Sequence, residues 1–269
     1  MSLLLHGDCL EQMKSIDTQS VDFIFCDLPY GQTSCKWDVI IPWEPFWNEI
    51  LRIKKLNTPI FFTTTTKFGV ELINNAPKKC PFRYDLVWVK SAPAGFLSAK
   101  KMPMRKHEMV YVFYEKLPLY DLSSHQHKFI NSTNGVKKDY NLYRKDINKV
   151  QNKQYDPPLP TSVIKGENNT YNTEGRKKPI TREQPNKYDP PLPTTMLEIK
   201  STKGKHSTEK PVALMEWLLK YYSKEGDVVL DPTMGSGSTG VACKNMNRNF
   251  IGIEKNDDIY QVAVNRIES

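Results

Sequence analysis

Residues 228–240 read VVLDPTMGSGSTG, and no other stretch limits the fold of this chain so strongly. An apolar, β-branched run ends in Asp231; a turn with Gly235 and Gly237 follows. Beyond it lie a helical segment at 239–245 and a second strand-like run at 249–253. Strand, glycine turn, helix and strand in that order form the first half of a Rossmann-like nucleotide site, here near the C-terminal end of the sequence. Gly235 and Gly237 let the backbone bend sharply and approach a ligand at a parallel strand's tip. Glu254 closes the second strand about 20 residues later, placed to hold the two hydroxyls of a ribose.

The same residues discriminate among nucleotide-like ligands. A phosphate-binding P-loop needs a Lys that is absent after Gly240. Residues 235–240 match the dinucleotide pattern GxGxxG, but Asp231 facing the loop repels a pyrophosphate. A cofactor that is cationic at its amine and sulfur tolerates that carboxylate, which favours S-adenosylmethionine.

Four more segments read as strands. VDFIFC at 21–26 is almost wholly apolar, as expected of a strand buried on both faces. PIFFT at 59–63, DLVWV at 85–89 and MVYVFY at 109–114 share its β-branched and aromatic content. Residues 44–56 place Phe46, Trp47, Ile50, Leu51 and Ile53 at helical spacing. A further helix is expected to open at Pro211, capped by Ser207 or Thr208 and stopped by Gly226.

The run at 21–26 leads directly into Asp27-Leu28-Pro29-Tyr30. An amine conjugated to an aromatic ring is a poor nucleophile because its lone pair is delocalised. A fixed carboxylate and a carbonyl that accept its two N–H bonds draw the lone pair out of conjugation. Asp27 and the Leu28 carbonyl suit that task, with Pro29 stiffening the loop and Tyr30 stacking on the ring. A simple turn after a strand is the alternative for these four residues alone.

Together, DLPY and the glycine turn resemble the DNA amino-methyltransferases, which carry [DNS]PP[YFW] and a glycine-rich S-adenosylmethionine motif. Catalytic motif first and cofactor motif last resembles the permuted β group. His6-Gly7-Asp8-Cys9-Leu10 resembles its GDCL element, and residues 206–211 (HSTEKP) resemble HPTQKP. The segment at 249–254, followed by Tyr260, resembles FIGIE…Y. The resemblance implies an α/β, Rossmann-like methyltransferase fold with a mostly parallel seven-stranded sheet and an irregular inserted target-recognition region. Residues 1–119 and 201–269 become the catalytic and cofactor-binding halves, and 120–200 the insert. Asp27, Leu28, Pro29 and Tyr30 take the catalytic roles. Asp8, Cys9, Lys210, Asp231, Thr233, Gly235, Gly237 and Glu254 form the cofactor set, with Asp8 toward the adenine, Lys210 toward the methionine carboxylate and Glu254 on the ribose. No metal is implied. Leu28 in place of the first Pro loosens the loop, and Ser207 also departs from the pattern. Asp at position 27 favours adenine N6 over cytosine N4.

Charge supports a polyanionic partner. Residues 116–205 hold 17 Lys and Arg against 9 Asp and Glu, which accounts for the whole formal charge of +8. Lys137, Lys138, Arg144, Arg176, Lys177 and Lys178 are the expected phosphate contacts, with Lys100, Lys101 and Arg105 in a second basic loop. His107 and Glu108 read as structural. Two Pro-Pro-Leu-Pro copies, within 152–161 and 186–194, read as stiff spacers. Five scattered cysteines, no apolar span and no leader pattern point to the cytoplasm.

The expected activity is therefore site-specific methylation of an exocyclic amine on a flipped base of double-stranded DNA, in a restriction–modification setting and with a homodimer compatible with the group. Cytosine N4, an RNA or protein amide, and a nonenzymatic DNA-binding protein with a decayed pocket are the alternatives.

Overall fold

The computed structural model describes residues 2–124 except 33, 34, 36 and 37, the short stretches 126–127, 155–156 and 163–165, and residues 209–269. The expected phosphate contacts Lys137, Lys138, Arg144, Arg176, Lys177 and Lys178, and the expected caps Ser207 and Thr208, lie outside the described residues.

The described chain alternates strand and helix at both ends. It runs β1 (Ser2–His6), α1 (Cys9–Met13), β2 (Phe23–Cys26), α2 (Trp43–Ile53), β3 (Ile60–Thr64), α3 (Thr66–Asn75), β4 (Phe82–Ala94) and β5 (Arg105–Phe113). Short strands β6 (Gln126–His127), β7 (Tyr155–Asp156) and β8 (Val163–Lys165) come from the insert. The body resumes with α4 (Val212–Tyr222), β9 (Val228–Asp231), α5 (Ser238–Asn245), β10 (Asn249–Glu254) and α6 (Asp257–Glu268).

Eight strands form one sheet in the order β1-β10-β9-β2-β3-β5-β4-β8, and every pairing is parallel except those of β5. Seven belong to the body; β8 adds an edge strand beside β4. Chain direction across the sheet reverses between β2 and β9, where Phe23 pairs with Val229 and Ile24 with Leu230. In open α/β sheets such a switch point leaves a crevice at the strand tips, where ligands bind.

Alternation along β2 explains why its sequence is apolar throughout. Phe23 and Phe25 face one core layer with α4, α5 and α6; Ile24 and Cys26 face the other with α1, α2 and α3. Phe61 and Phe62 on β3 divide the same way. Each such buried side chain contributes roughly 1.5–3 kcal/mol of transfer free energy.

Two boundary expectations change. Pro211 is itself the N-cap of α4, and no side chain caps that helix. α4 also ends at Ser223, before Gly226: the Ser223 hydroxyl donates to Leu219 O and receives Arg248 Nε, so the chain turns there. β1, α1, α3 and α6 were not anticipated from periodicity.

Candidate active site at the switch point

Asp27 is the first residue past β2, so the sheet delivers its carboxylate to the crevice. Its Oδ2 lies 2.7 Å from Lys210 Nζ. Its Oδ1 accepts from the Tyr30 hydroxyl at 3.2 Å and, at short range, from the hydroxyl of Thr63 near the end of β3. Burial, then the neighbouring Asp27 charge, pushes the Tyr30 phenol well above its ordinary value. It therefore stays protonated and donates.

The loop after Asp27 is tied down by groups that are distant in sequence. The Leu28 side chain is buried in the core layer of α1–α3. That apolar anchor replaces the rigidity expected to be lost with the family's first Pro. Gly31 N and Gln32 N both donate to the buried Asp38 carboxylate, at 2.8 and 2.9 Å. The Tyr30 ring stacks at a tilt on Phe68, 4.8 Å between centroids.

Lys210 sits just before the N-cap of α4, with its side chain 12% exposed. Burial alone lowers its pKa, but the carboxylates of Asp27 and Glu108 outweigh that and hold the ammonium above its ordinary value. Glu108 Oε2 is buried, lies 3.6 Å from Lys210 Nζ and makes no hydrogen bond, while Oε1 pairs with Lys90. Sequence reading treated Glu108 as structural. The structure places it one charge away from Asp27.

The glycine turn closes the other wall. Gly235 (φ 53°) and Gly237 (φ 82°) occupy left-handed backbone that favours glycine. A Cβ on Gly235 meets open space within 4 Å, whereas one on Gly237 strikes Ile267 Cδ1 at 2.9 Å. Thr233 Oγ1 donates to the Asp27 carbonyl at 3.1 Å, which joins the turn to the DLPY strand. Glu254 accepts Gly235 N at 3.1 Å and Asn256 N at 2.8 Å, so the next strand tip is fixed as well.

Two expected cofactor residues need correction. Asp231 is 2% exposed, and its oxygens accept the Thr239 hydroxyl at 2.6 Å and Thr233 N at 3.1 Å. It staples the turn from inside and does not face the crevice. Burial raises its pKa to about 7. Cys9 is the first residue of α1 with a buried thiol in the core, its pKa pushed to about 12 by burial, so its side chain packs. Asp8 caps α1 through Leu10 N at 3.0 Å and pairs with Lys255 at 3.0 Å. Burial raises its pKa, but those two partners outweigh it and leave the carboxyl below its ordinary value.

These residues fit S-adenosylmethionine on their own chemistry. The crevice-side tips of β1, β10 and β2 carry Asp8, Glu254 and Asp27, with His6 beside Glu254 in register. Acceptor-only groups there suit ribose hydroxyls and cationic centres and disfavour phosphate. The open space beside Gly235 is the cradle that a side chain would fill. Lys100, Lys101 and Arg105 are exposed on the β4–β5 hairpin at the same edge of the sheet.

Comparison with known proteins agrees. The profile of the DNA methylase family matches residues 21–265. The chain is 25% identical to the DNA adenine methyltransferase YhdJ of Escherichia coli, over 98% of this chain and 82% of that protein. A local match to the type II methyltransferase M.HindIII of Haemophilus influenzae is 52% identical over 65 residues, but spans only 24% of this chain and 21% of that protein. The crystal structure of an M1.HpyAVI–SAM complex superposes with a TM-score of 0.58 at 22% identity, covering 99% of this chain and 100% of that one, which shows a shared fold. Given a family profile spanning nearly the whole chain, and a structure that brings its two expected motifs to adjacent strand tips, this chain belongs to the DNA methylase family.

Proposed function

We propose that the chain is a site-specific DNA methyltransferase that methylates adenine N6 in double-stranded DNA. The observation that carries this reading is the meeting of DLPY and the glycine turn at one crevice, joined by the Thr233–Asp27 hydrogen bond. Asp at position 27 and likeness to an enzyme named a DNA adenine methyltransferase over 98% of the chain support adenine over cytosine.

S-adenosylmethionine supplies the electrophilic methyl group. Glu254 and Asp8 hold it by its ribose and adenine, while the bend at Gly235 and Gly237 lets the backbone approach closely. The target amine enters after the base leaves the duplex stack. Asp27 and the Leu28 carbonyl accept its two N–H bonds and turn the lone pair toward the methyl donor. Lys210, with Thr63 and Tyr30, keeps the Asp27 carboxylate in one orientation, so alignment is built before the substrate arrives. Asp27 orients the amine; the proton leaves once the nitrogen has been alkylated.

The insert supplies DNA contacts in this reading: Lys137, Lys138, Arg144, Arg176, Lys177 and Lys178 on phosphates, with Lys100, Lys101 and Arg105 from the hairpin. The chain acts in the cytoplasm, where DNA and cofactor meet. A homodimer is tested by sedimentation of the purified protein.

The decisive experiment incubates the protein with labelled S-adenosylmethionine and duplex DNA, RNA or protein, then hydrolyses the labelled product to nucleosides. Label recovered as N6-methyladenine from DNA is expected. N4-methylcytosine, or label on RNA or protein alone, overturns the assignment. Sequencing methylated DNA from cells expressing the chain then gives the recognition sequence.

A further inference from the structure

The tip of the β4–β5 hairpin shows what soluble proteins usually hide. Phe96 is 79% exposed, Leu97 99% and Met102 60%. Single exposed apolar residues are ordinary, but three on one short turn are a patch that wants an occupant. The turn is closed by its own backbone. Gly95 (φ 92°) starts a single 3-10 turn at Phe96–Ser98, and Ser98 N, Ala99 N, Lys101 N and Met102 N donate back to Gly95, Phe96 and Ser98 carbonyls. Ala99 is buried and anchors the turn. Phe96 and Leu97 are therefore held outward by a formed structure.

Two features say what covers this patch. Lys100, Lys101 and Arg105 flank it, so its surroundings attract a polyanion. Its stem leads straight to the catalytic group: Lys90 of β4 pairs with Glu108 of β5, and Glu108 stands 3.6 Å from the Lys210 that holds Asp27. Arg105 is three residues from Glu108, about 10 Å along an extended strand. Between the pairs Val89–His107 and Ala94–Arg105, residues 90–93 oppose the single Lys106, a bulge that re-aims the tip beside the crevice. Phe, Leu and Met are residue types that proteins drive between base steps to unstack a duplex.

We propose that this tip is a wedge: Phe96 and Leu97, with Met102 behind them, enter the duplex where the target base leaves and fill the space in the stack. The inference rests on the DNA methyltransferase reading above. The flanking cations hold the backbone, and the apolar pair offsets the stacking lost by extrusion, which lowers the cost of presenting the amine to Asp27.

The test uses duplexes carrying the methylated sequence, with the target base either correctly paired or opposite an abasic nucleotide. The Phe96→Ala/Leu97→Ala double variant is expected to lose at least about tenfold in kcat/KM on the paired duplex. On the abasic-paired duplex, where extrusion needs little help, it stays near wild type, and its KM for S-adenosylmethionine is unchanged on both. Phe96→Leu keeps most activity on both, which separates a wedge from misfolding. An equal loss on the two duplexes, no loss on either, or a loss traced by sedimentation to a broken self-association overturns the wedge. Wild-type protein that methylates neither duplex overturns the methyltransferase reading instead.

Discussion

Lys210 Nζ stands 2.7 Å from Asp27 Oδ2, although 183 residues separate them. Removing the ammonium strands a carboxylate that has only hydroxyl partners left. Lys210→Met is expected to destabilise the fold by about 1–3 kcal/mol, discounted from the fully buried case because the Asp27 side chain is 29% exposed. Urea unfolding measures this. Turnover should fall much further than stability accounts for, since Asp27 loses its fixed orientation.

Asp27→Ala removes the acceptor itself. Methyl transfer should disappear while S-adenosylmethionine still binds, because Glu254, Asp8 and the glycine turn remain. Calorimetry with the cofactor and a single-turnover assay separate the two effects. Turnover at the wild-type rate would remove Asp27 from the chemistry.

Glu108 acts through Lys210, so it is a positioning residue. Glu108→Gln keeps the shape and deletes the charge beside Lys210 and Lys90. The expected signature is a loss of roughly tenfold to a hundredfold in kcat with an unchanged KM for the cofactor, as for a misplaced reacting group. A merely structural role would move thermal stability and leave that kinetic split unseen.

The two glycines of the turn should respond differently to alanine. Gly237→Ala meets both a left-handed φ and Ile267 at 2.9 Å, and should cost about 2–4 kcal/mol of stability. Gly235→Ala has strain without a clash and costs about 1–2 kcal/mol. Its added methyl enters the cofactor cradle, so the Kd for S-adenosylmethionine should rise about tenfold or more. Equal cofactor affinity in both variants would place the ligand elsewhere.

Asp231 makes stability depend on pH. Its folded pKa of about 7 exceeds the ordinary 3.8, so the folded state holds this proton more tightly than the unfolded chain. Its contribution is fully present below about pH 4 and is lost as pH rises through about 7. Asp231→Asn should flatten that part of the stability profile, read as urea midpoints at pH 4, 5.5 and 7. An unaltered slope would show that the carboxyl titrates normally.

Much of this architecture was legible because burial on two faces writes itself into the residues. The apolar run ending at Cys26 and the glycine turn after Asp231 each identify themselves locally, and so do DLPY and Glu254. Lys210 was traceable only to the motif around it; nothing near it in sequence names Asp27 as its partner. Glu108 was misread because a buried acid on a strand resembles any other until the opposing charge is located. Asp231 and Cys9 were assigned outward because strand-tip position says nothing about which way a side chain turns. Thr63 and Asp38 were missed: a hydroxyl and a carboxylate that brace a loop from neighbouring elements carry no periodic signal. The polar insert has too little apolar periodicity for its elements to be read.

The single hydroxyl of Thr233 gives the protein a mechanical property. It fastens the cofactor turn to the peptide that carries the reactive carboxylate. Displacement of one wall is transmitted to the other through one short tether. Donor and acceptor are thus gauged against a common frame, and wear at that joint would loosen methyl alignment before it loosened either grip.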